Sequence, residues 1–251
     1  MKSKIQRYIS DELTHLVGRG QSTDDQYSTL IKILRSGWLT HPPHNPLVEG
    51  NIQVNPQAKL SENEMYIPQV VCFCDIPTED LGIHMQKYSP FGLTFSKDFI
   101  VEAGGSPVFY VAREASVKSS RSLTPEFIEL WEKAKTVDEM KTAFAVQTKG
   151  TYFDLIIKDY HKLYSVIGPL DPNWEFFRFL DFQVFSHLVF FDHRLPEDHT
   201  ENYYFEREWR IVGNLRFSLK DVKRLIIPEK FSKKFRADCP NYYGQISFSP
   251  A

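Results

Sequence analysis

The order of strand-like and helix-like segments constrains the fold of this chain more than any single motif does. Apolar residues follow a strand period in some segments and a helical period in others, but the two kinds do not alternate regularly. This order excludes a regular series of βαβ units and predicts an α+β fold. Strands are predicted at 12–17, 69–76, 91–95, 107–112, 203–215 and 224–227, and helices at 24–36, 79–88, 124–135, 136–147, 151–166 and 174–190.

The middle of the chain differs from both ends. Residues 40–66 contain four prolines and show no period, which predicts a long loop. The helical segments that follow predict a helical insertion at about residues 115–200. We therefore expect one α+β domain over residues 1–251, with this insertion inside it.

Aromatic residues are concentrated in the predicted insertion. The chain has 20 Phe, 12 Tyr and 4 Trp, and twelve of them lie between Tyr152 and Phe191. Those in the last predicted helix are too many for one helix face. We expect that helix to be buried on several sides or to be covered by a partner.

Charge and composition limit the function classes. The formal charge is −2, which argues against broad electrostatic capture of nucleic acid but leaves a local basic groove open. No apolar run is long enough for a membrane span, and no signal peptide is recognisable. Three cysteines are too few for a disulfide framework, so a cytoplasmic location with free thiols is expected.

Common catalytic motifs are absent. The sequence has no GxGxxG after a strand, no GxxxxGK[ST], no HExxH and no GxSxG. This excludes the usual dinucleotide folds, P-loop enzymes, zincins and hydrolases with a nucleophile elbow.

The segment Glu206-Arg-Glu-Trp-Arg210 carries the clearest candidate chemistry. On a strand, Glu206, Glu208 and Arg210 would share one face, with Trp209 on the other. Such a carboxylate can bind a ribose hydroxyl and stabilise positive charge at an anomeric carbon. We predict Arg210 as a cofactor-binding residue. The alternative is a solvated strand face with weak ion pairs.

Two further segments offer candidate residues. His15 lies on the first strand and is either a ligand-binding residue or a structural histidine bonded to a backbone carbonyl. Tyr88 ends a predicted helix and either stacks on a planar ring or packs in the core. Cys72 and Cys74 share a strand face, but only His84 is a local third ligand, so no metal site is predicted.

Several segments together resemble one known family. The segments ISDELTHLVGR, YSTLIKILRSGWL, VVCFCDIPTEDLGIHMQKYSPFGLTFSKDFIVEAGGSPVFYVA and YYFEREWRIVGN are similar to the abortive-infection AbiGi family of phage-resistance proteins. That family is usually labelled an antitoxin. The resemblance implies phage defence and a cognate toxin or antitoxin as partner, without a membrane.

A second resemblance is to the ADP-ribosyltransferase fold, in which a split antiparallel or mixed sheet surrounds an NAD cleft. His15, Tyr88 and Glu208 follow the order of that fold's first-strand His or Arg, middle aromatic residue and late Glu. The resemblance implies that His15 and Arg19 hold the ribose and phosphates of NAD and that Tyr88 packs on nicotinamide. Glu208 would stabilise the transition state, and Glu206 would orient a protein or nucleic-acid acceptor.

Two hypotheses follow from these resemblances. In the first, the chain is a phage-defence protein that binds NAD and acts as an ADP-ribosyltransferase. In the second, the chain is a non-catalytic antitoxin that neutralises a partner toxin through its aromatic helical block. The absence of a Ser-Thr-Ser strand motif, and the prospect of ion pairs from Arg210 and Arg19 to the two glutamates, keep the second hypothesis open.

Overall fold

The computed structural model describes residues 10–55, 57–113, 178–196 and 202–249, together with 129, 133 and 199. They fall into two compact units. The first draws on Met1–Ile52, Pro68–Val108 and Leu195–Ala251, and the second on Gln53–Ile67 and Phe109–Arg194. The helices predicted at 136–147 and 151–166, and the helix predicted at 124–135 apart from residues 129 and 133, lie outside the described residues.

The described elements combine short strands with helical segments. The strands are β1 (Glu12–Leu16), β2 (Trp38–Leu39), β3 (Ile52–Val54), β4 (Tyr66–Pro68), β5 (Val70–Cys74), β6 (Gly92–Ser96), β7 (Ser106–Pro107), β8 (Phe109–Ala112), β9 (Leu188–Phe191), β10 (Glu208–Val212), β11 (Leu215–Arg216), β12 (Val222–Pro228) and β13 (Gln245–Ser249). The α-helices are α1 (Thr23–Ser36), α2 (Gly82–Lys87), α3 (Lys97–Glu102) and α4 (Ser232–Asp238). A π-helical segment spans Leu180–Val184, and 3₁₀ turns span Leu60–Glu62, Thr78–Asp80, Phe185–His187, Tyr204–Glu206 and Glu229–Phe231.

A seven-stranded sheet forms the centre of the first unit. Its strand order is β13-β12-β6-β1-β5-β10-β7. The pairs within it are antiparallel except β12 with β13, which is parallel. A mixed sheet with separate helices confirms the α+β class that the element order predicts.

Helix α1 forms where the sequence predicts it because its end signals are local. The side chain of Ser22 accepts a hydrogen bond from the backbone N–H of Asp25, which caps the first turn. Gly37 ends the helix with φ at 69°, and its N–H donates to the carbonyl of Ile33. The helix buries Tyr27, Leu30, Ile31 and Leu34.

One face of the sheet is apolar and carries the main core. Strand alternation and register place Leu13, Phe73 and Phe95 on this face, and all three belong to one buried cluster with the apolar residues of α1. The rings of Phe73 and Phe95 meet edge to face with centroids 6.0 Å apart. We call this side of the sheet the apolar face and the opposite side the polar face.

The second unit contains one strand, β9, where the sequence predicts a helix. β9 pairs in parallel with β8, and the Asn63 side chain bonds both the N–H and the carbonyl of Phe190. The helix predicted at 174–190 is therefore wrong over 188–190. Residues 188–191 read Leu-Val-Phe-Phe, and β-branched and aromatic side chains favour a strand once a partner strand is present.

Three other boundaries differ from the sequence prediction. The strand predicted at 107–112 is two strands, β7 and β8, which belong to different sheets. The helix predicted at 79–88 is a 3₁₀ turn at Thr78–Asp80 followed by α2. The segment 40–66 contains β3 and the 3₁₀ turn at Leu60–Glu62.

Candidate functional site

A row of buried side chains crosses the polar face at the centre of the sheet. Thr94 lies opposite Thr14, Thr14 opposite Cys74, and Cys74 opposite Glu208. Their exposed fractions are 0%, 2%, 8% and 7%. Strand pairing thus brings a carboxylate from late in the chain beside a thiol and a hydroxyl from the first hundred residues.

Glu208 is held by the arginine two residues further along the same strand. Arg210 Nε donates to Glu208 Oε1 at 2.8 Å, and an Arg210 terminal nitrogen donates to Oε2 at 3.0 Å. The two side chains are only 8% and 16% exposed. Both Glu208 oxygens therefore accept a hydrogen bond from Arg210. A largely buried two-point pair of this kind is among the stronger charge-assisted interactions in proteins.

Glu206 does not lie on the strand, contrary to the sequence prediction. It ends the 3₁₀ turn Tyr204–Glu206, and Arg207 follows with φ at 45°, so β10 begins only at Glu208. The left-handed residue breaks the two-residue period on which the prediction relied. A non-glycine residue in this region is uncommon and is often retained beside a functional site.

The Glu206 carboxylate instead belongs to a cluster with Lys87 and Tyr88. Its Oε1 accepts a hydrogen bond from Lys87 Nζ at 2.7 Å and a short one from the Tyr88 hydroxyl. Burial, followed by the hydrogen bond to Glu206 and its charge, raises the pKa of Tyr88 well above its usual value. Tyr88 therefore remains protonated and donates to Glu206.

Arg19 reaches the same cluster. Its guanidinium carbon lies 4.9 Å from the centre of the Tyr88 ring, within range for a cation–π contact. The structure therefore brings together three of the residues that the sequence singles out, Arg19, Tyr88 and Glu206.

His15 lies on the other side of the sheet. It is opposite Leu93 on the apolar face, and its ring is 5.8 Å from that of Phe73. Its Nδ1 lies 2.7 Å from the backbone carbonyl oxygen of Cys72, so Nδ1–H donates. Burial lowers the pKa of His15, with the carbonyl bond opposing this effect. The structure does not bring His15 together with Glu208. His15 instead makes a hydrogen bond to a backbone carbonyl, as expected for a structural histidine.

The two strand cysteines are thiols rather than nucleophiles. Burial, and then the charge of Glu208, raises the pKa of Cys72 well above its usual value. Burial, and then the charge of Glu206, raises the pKa of Cys74 to about 12. A nucleophilic cysteine needs a lowered pKa, so this electrostatic environment disfavours thiolate chemistry.

Some residues of the polar face escape the sequence analysis. Glu12 Oε2 accepts hydrogen bonds from Thr94 Oγ1 at 2.8 Å and from Arg224 Nε at 3.1 Å. Thr14, rather than its neighbour His15, faces Cys74. Alternation along the first strand separates Thr14 from His15, but only the pairing register shows which of them joins the row.

A comparison with known protein families finds a match that covers most of the chain. A family model described as "Putative abortive phage resistance protein AbiGi, antitoxin" matches residues 57–250. That range is more than three quarters of the chain and includes α2, Tyr88, Glu206 and Glu208.

This chain belongs to the AbiGi family.

The match confirms the resemblance in the segments around α2 and β10 and extends through the middle block. The family connects the chain to abortive-infection defence against phage, under an antitoxin description. No curated protein and no solved structure matches the chain. In the parts of the chain that the structure describes, no helix is long and apolar enough to cross a membrane.

Proposed function

We propose that this AbiGi chain is the antitoxin of an abortive-infection system and that it neutralises a partner toxin without catalysing a reaction. The family description supports the defence role and implies a toxin as partner. The observation that carries the non-catalytic part is the two-point pair between Arg210 and Glu208.

The pair matters because of what a transferase glutamate must do. To stabilise an oxocarbenium-like carbon, a carboxylate has to present its charge and an oxygen to the sugar. In this chain the charge is compensated by Arg210, and each oxygen already accepts a hydrogen bond. Releasing Glu208 would break both of these charge-assisted hydrogen bonds in a largely buried setting, which is costly.

Co-expression with a neighbouring gene whose product arrests growth on its own tests the proposal, and we call that product the toxin. We expect the intact chain to restore growth of cells that express the toxin and to be recovered with the toxin in a pull-down. Growth that is not restored at matched expression would contradict the antitoxin role. Restored growth together with NAD consumption by the purified chain would contradict the non-catalytic part.

NAD is the second candidate, as the ligand of an ADP-ribosyltransferase-like site. One observation favours it: Arg19, Lys87, Tyr88 and Glu206 converge in one cluster, with Glu208 close enough to affect the pKa of Tyr88. Cations of this kind can bind phosphates, and Tyr88 offers a ring. His15 would have no part in this site, because it lies on the apolar face. Calorimetric titration with NAD tests this candidate, and binding that survives Tyr88→Ala and Arg19→Ala unchanged would contradict it.

A further inference from the structure

The two edges of the seven-stranded sheet differ in how well they are protected. One edge is β7, which has only two residues and ends at Pro107. Short edge strands and prolines are common devices against pairing with another chain. The other edge is β13, which has five residues and pairs with β12 on one side. Among the described residues no strand occupies its other side, so this edge is open.

Strand β13 lacks the features that normally protect an edge. Its sequence is Gln-Ile-Ser-Phe-Ser, with no charge and no proline. Its pairing with β12 keeps a regular register over all five residues. The N–H and C=O groups along an unpaired edge are a template for a further strand. We therefore expect a strand to be added at β13 rather than at β7.

The apolar face of β13 ends in an exposed ring. Ile246 and Phe248 lie opposite two residues of β12 that are buried in the main core, Leu225 and Ile227. Both side chains are therefore on the apolar face. Ile246 packs against the core, whereas Phe248 is 54% exposed. A further strand beside β13 would cover this ring.

The polar face of β13 is uncharged. Gln245, Ser247 and Ser249 alternate with the two apolar residues and share this face. Ser247 Oγ accepts a hydrogen bond from Arg224 Nη1 at 2.9 Å, and the same guanidinium bonds Glu12. The strand thus has one apolar row and one polar row without charges of its own.

This pattern is complementary to itself. When a second copy pairs antiparallel about a two-fold axis through Ser247, that residue meets its own counterpart and Ile246 meets Phe248 on the apolar face. Gln245 meets Ser249 on the polar face, so all five residues take part. A two-fold interface brings the same patch of both copies together, and an uncharged strand avoids like-charge repulsion there. A slip of one residue would move the apolar side chains to the polar face.

We propose that β13 is a dimerisation edge, at which a second copy of this chain continues the sheet. Five residues span only about 17 Å, whereas a standard interface buries about 800 Å² on each partner. The dimer is therefore weak and reversible, and it dissociates on dilution. This inference does not depend on the antitoxin role, because the oligomeric state is measured on the chain alone.

Sedimentation velocity over a range of protein concentrations tests the dimer. We expect the wild type to shift from monomer to dimer as the concentration rises. Phe248→Lys should weaken this association at least about tenfold, because it removes an apolar contact and places two like charges about 7–8 Å apart. Tm should not change, since Phe248 is exposed. Phe109→Lys is the matched control, because Phe109 is also 54% exposed but lies on β8.

Three results would overturn the proposal. The first is a wild-type chain that stays monomeric at every concentration. The second is a dimer that Phe248→Lys leaves unchanged, which would place the interface elsewhere. The third is a monomeric wild type whose recovery with the toxin is lost in Phe248→Lys, which would assign the edge to the toxin instead.

Two further variants test the register. Ser247→Cys should form a disulfide-linked dimer on mild oxidation, because residue 247 lies on the axis with the two Cβ atoms about 5 Å apart. Gln245→Cys should not, because its counterpart lies four residues away, about 13 Å along the strand. Equal cross-linking by both variants, or none by Ser247→Cys, would overturn the proposed pairing.

Opposite charges at one position provide a rescue. A mixture of Phe248→Lys and Phe248→Glu should associate more tightly than either variant does alone, since the two side chains are diagonal neighbours across the axis. A mixture that associates no better than its components would contradict this arrangement.

Discussion

Glu208 and Arg210 show how two residues of one strand can determine whether a site is reactive. The pair is nearly dry, with side chains 8% and 16% exposed. Removing the charge of one member weakens two charge-assisted hydrogen bonds in a largely buried setting, which costs about 1.5–3 kcal/mol. We therefore expect Glu208→Gln to lower the free energy of unfolding by about this amount, as measured by chemical denaturation.

Two variants provide controls for this prediction. Glu208→Gln combined with Arg210→Met replaces both members of the pair and should recover most of the lost stability. Glu62→Gln breaks an exposed pair with Lys59 and should cost less than about 1 kcal/mol. A Glu208→Gln protein as stable as wild type would show that Glu208 is not primarily a structural partner of Arg210.

The cysteine thiols give a second prediction at the residue scale. The pKa of Cys74 is raised to about 12, and those of Cys72 and Cys239 are also raised, with burial the largest cause in each case. Because the thiolate is the reactive form, we expect native thiols to react slowly with a disulfide reagent at pH 8 and rapidly after denaturation. Fast reaction of Cys72 in the native protein would contradict this electrostatic picture.

His15 predicts a pH effect on stability. Its folded pKa lies below its ordinary value of 6.5, so the unfolded chain takes up a proton more readily than the folded chain. The stability from neutral His15 is therefore present above pH 6.5 and is lost as the pH falls toward the folded pKa. We expect His15→Gln to lose less stability than wild type between pH 7.5 and 5.5 in thermal melts. An equal loss in both proteins would contradict the assigned shift.

At the scale of elements, α1 is the segment that the sequence predicts best. Its signals are local: Ser22 and the two aspartates at the start, apolar residues at helical spacing, and Gly37 at the end. The turn before β10 is not predictable in the same way. Alternation in Glu206-Arg-Glu-Trp-Arg210 indicates a continuous strand, and nothing local shows that Arg207 adopts a left-handed conformation.

Gly37 provides the test of the α1 terminus. Its φ is 69°, and an added Cβ would lie 2.7 Å from the carbonyl oxygen of Phe217. We expect Gly37→Ala to lose at least the roughly 1–2 kcal/mol that a left-handed conformation costs other residues. Gly82→Ala is the matched control, because a Cβ there meets no atom within 4 Å. It should be neutral or stabilising by up to about 1 kcal/mol, and equal losses in both variants would contradict the proposed cause.

At the scale of the whole molecule, strand order decides which residues meet. β1, β5 and β10 are neighbours in the sheet although β10 follows β5 by more than a hundred residues. The α+β class could be predicted from the element order, and the motif at 206–210 singles out Glu208, whose catalytic role stays a prediction. The register that places Thr14 beside Cys74, and His15 on the apolar face, depends on long-range pairing that local periods do not encode.

A cleft of about 240 Å³ beside α2 is also a product of this long-range arrangement. Its lining includes His84 of α2 and Asn202, which precedes β10. In the sequence His84 is a single histidine in a helix and Asn202 a single asparagine in a polar segment. Only the fold shows that both residues line one cavity.

The most direct test of the central claim is toxin neutralisation by a folded protein without the Glu208 carboxylate. Cells expressing the neighbouring toxin would carry either the wild-type chain or the Glu208→Gln, Arg210→Met variant at matched levels, and growth would be measured beside NAD consumption by each purified protein. A non-catalytic antitoxin predicts equal rescue by both proteins and no NAD consumption by either. Rescue lost in the folded variant, together with NAD consumption by the wild type alone, would contradict the account.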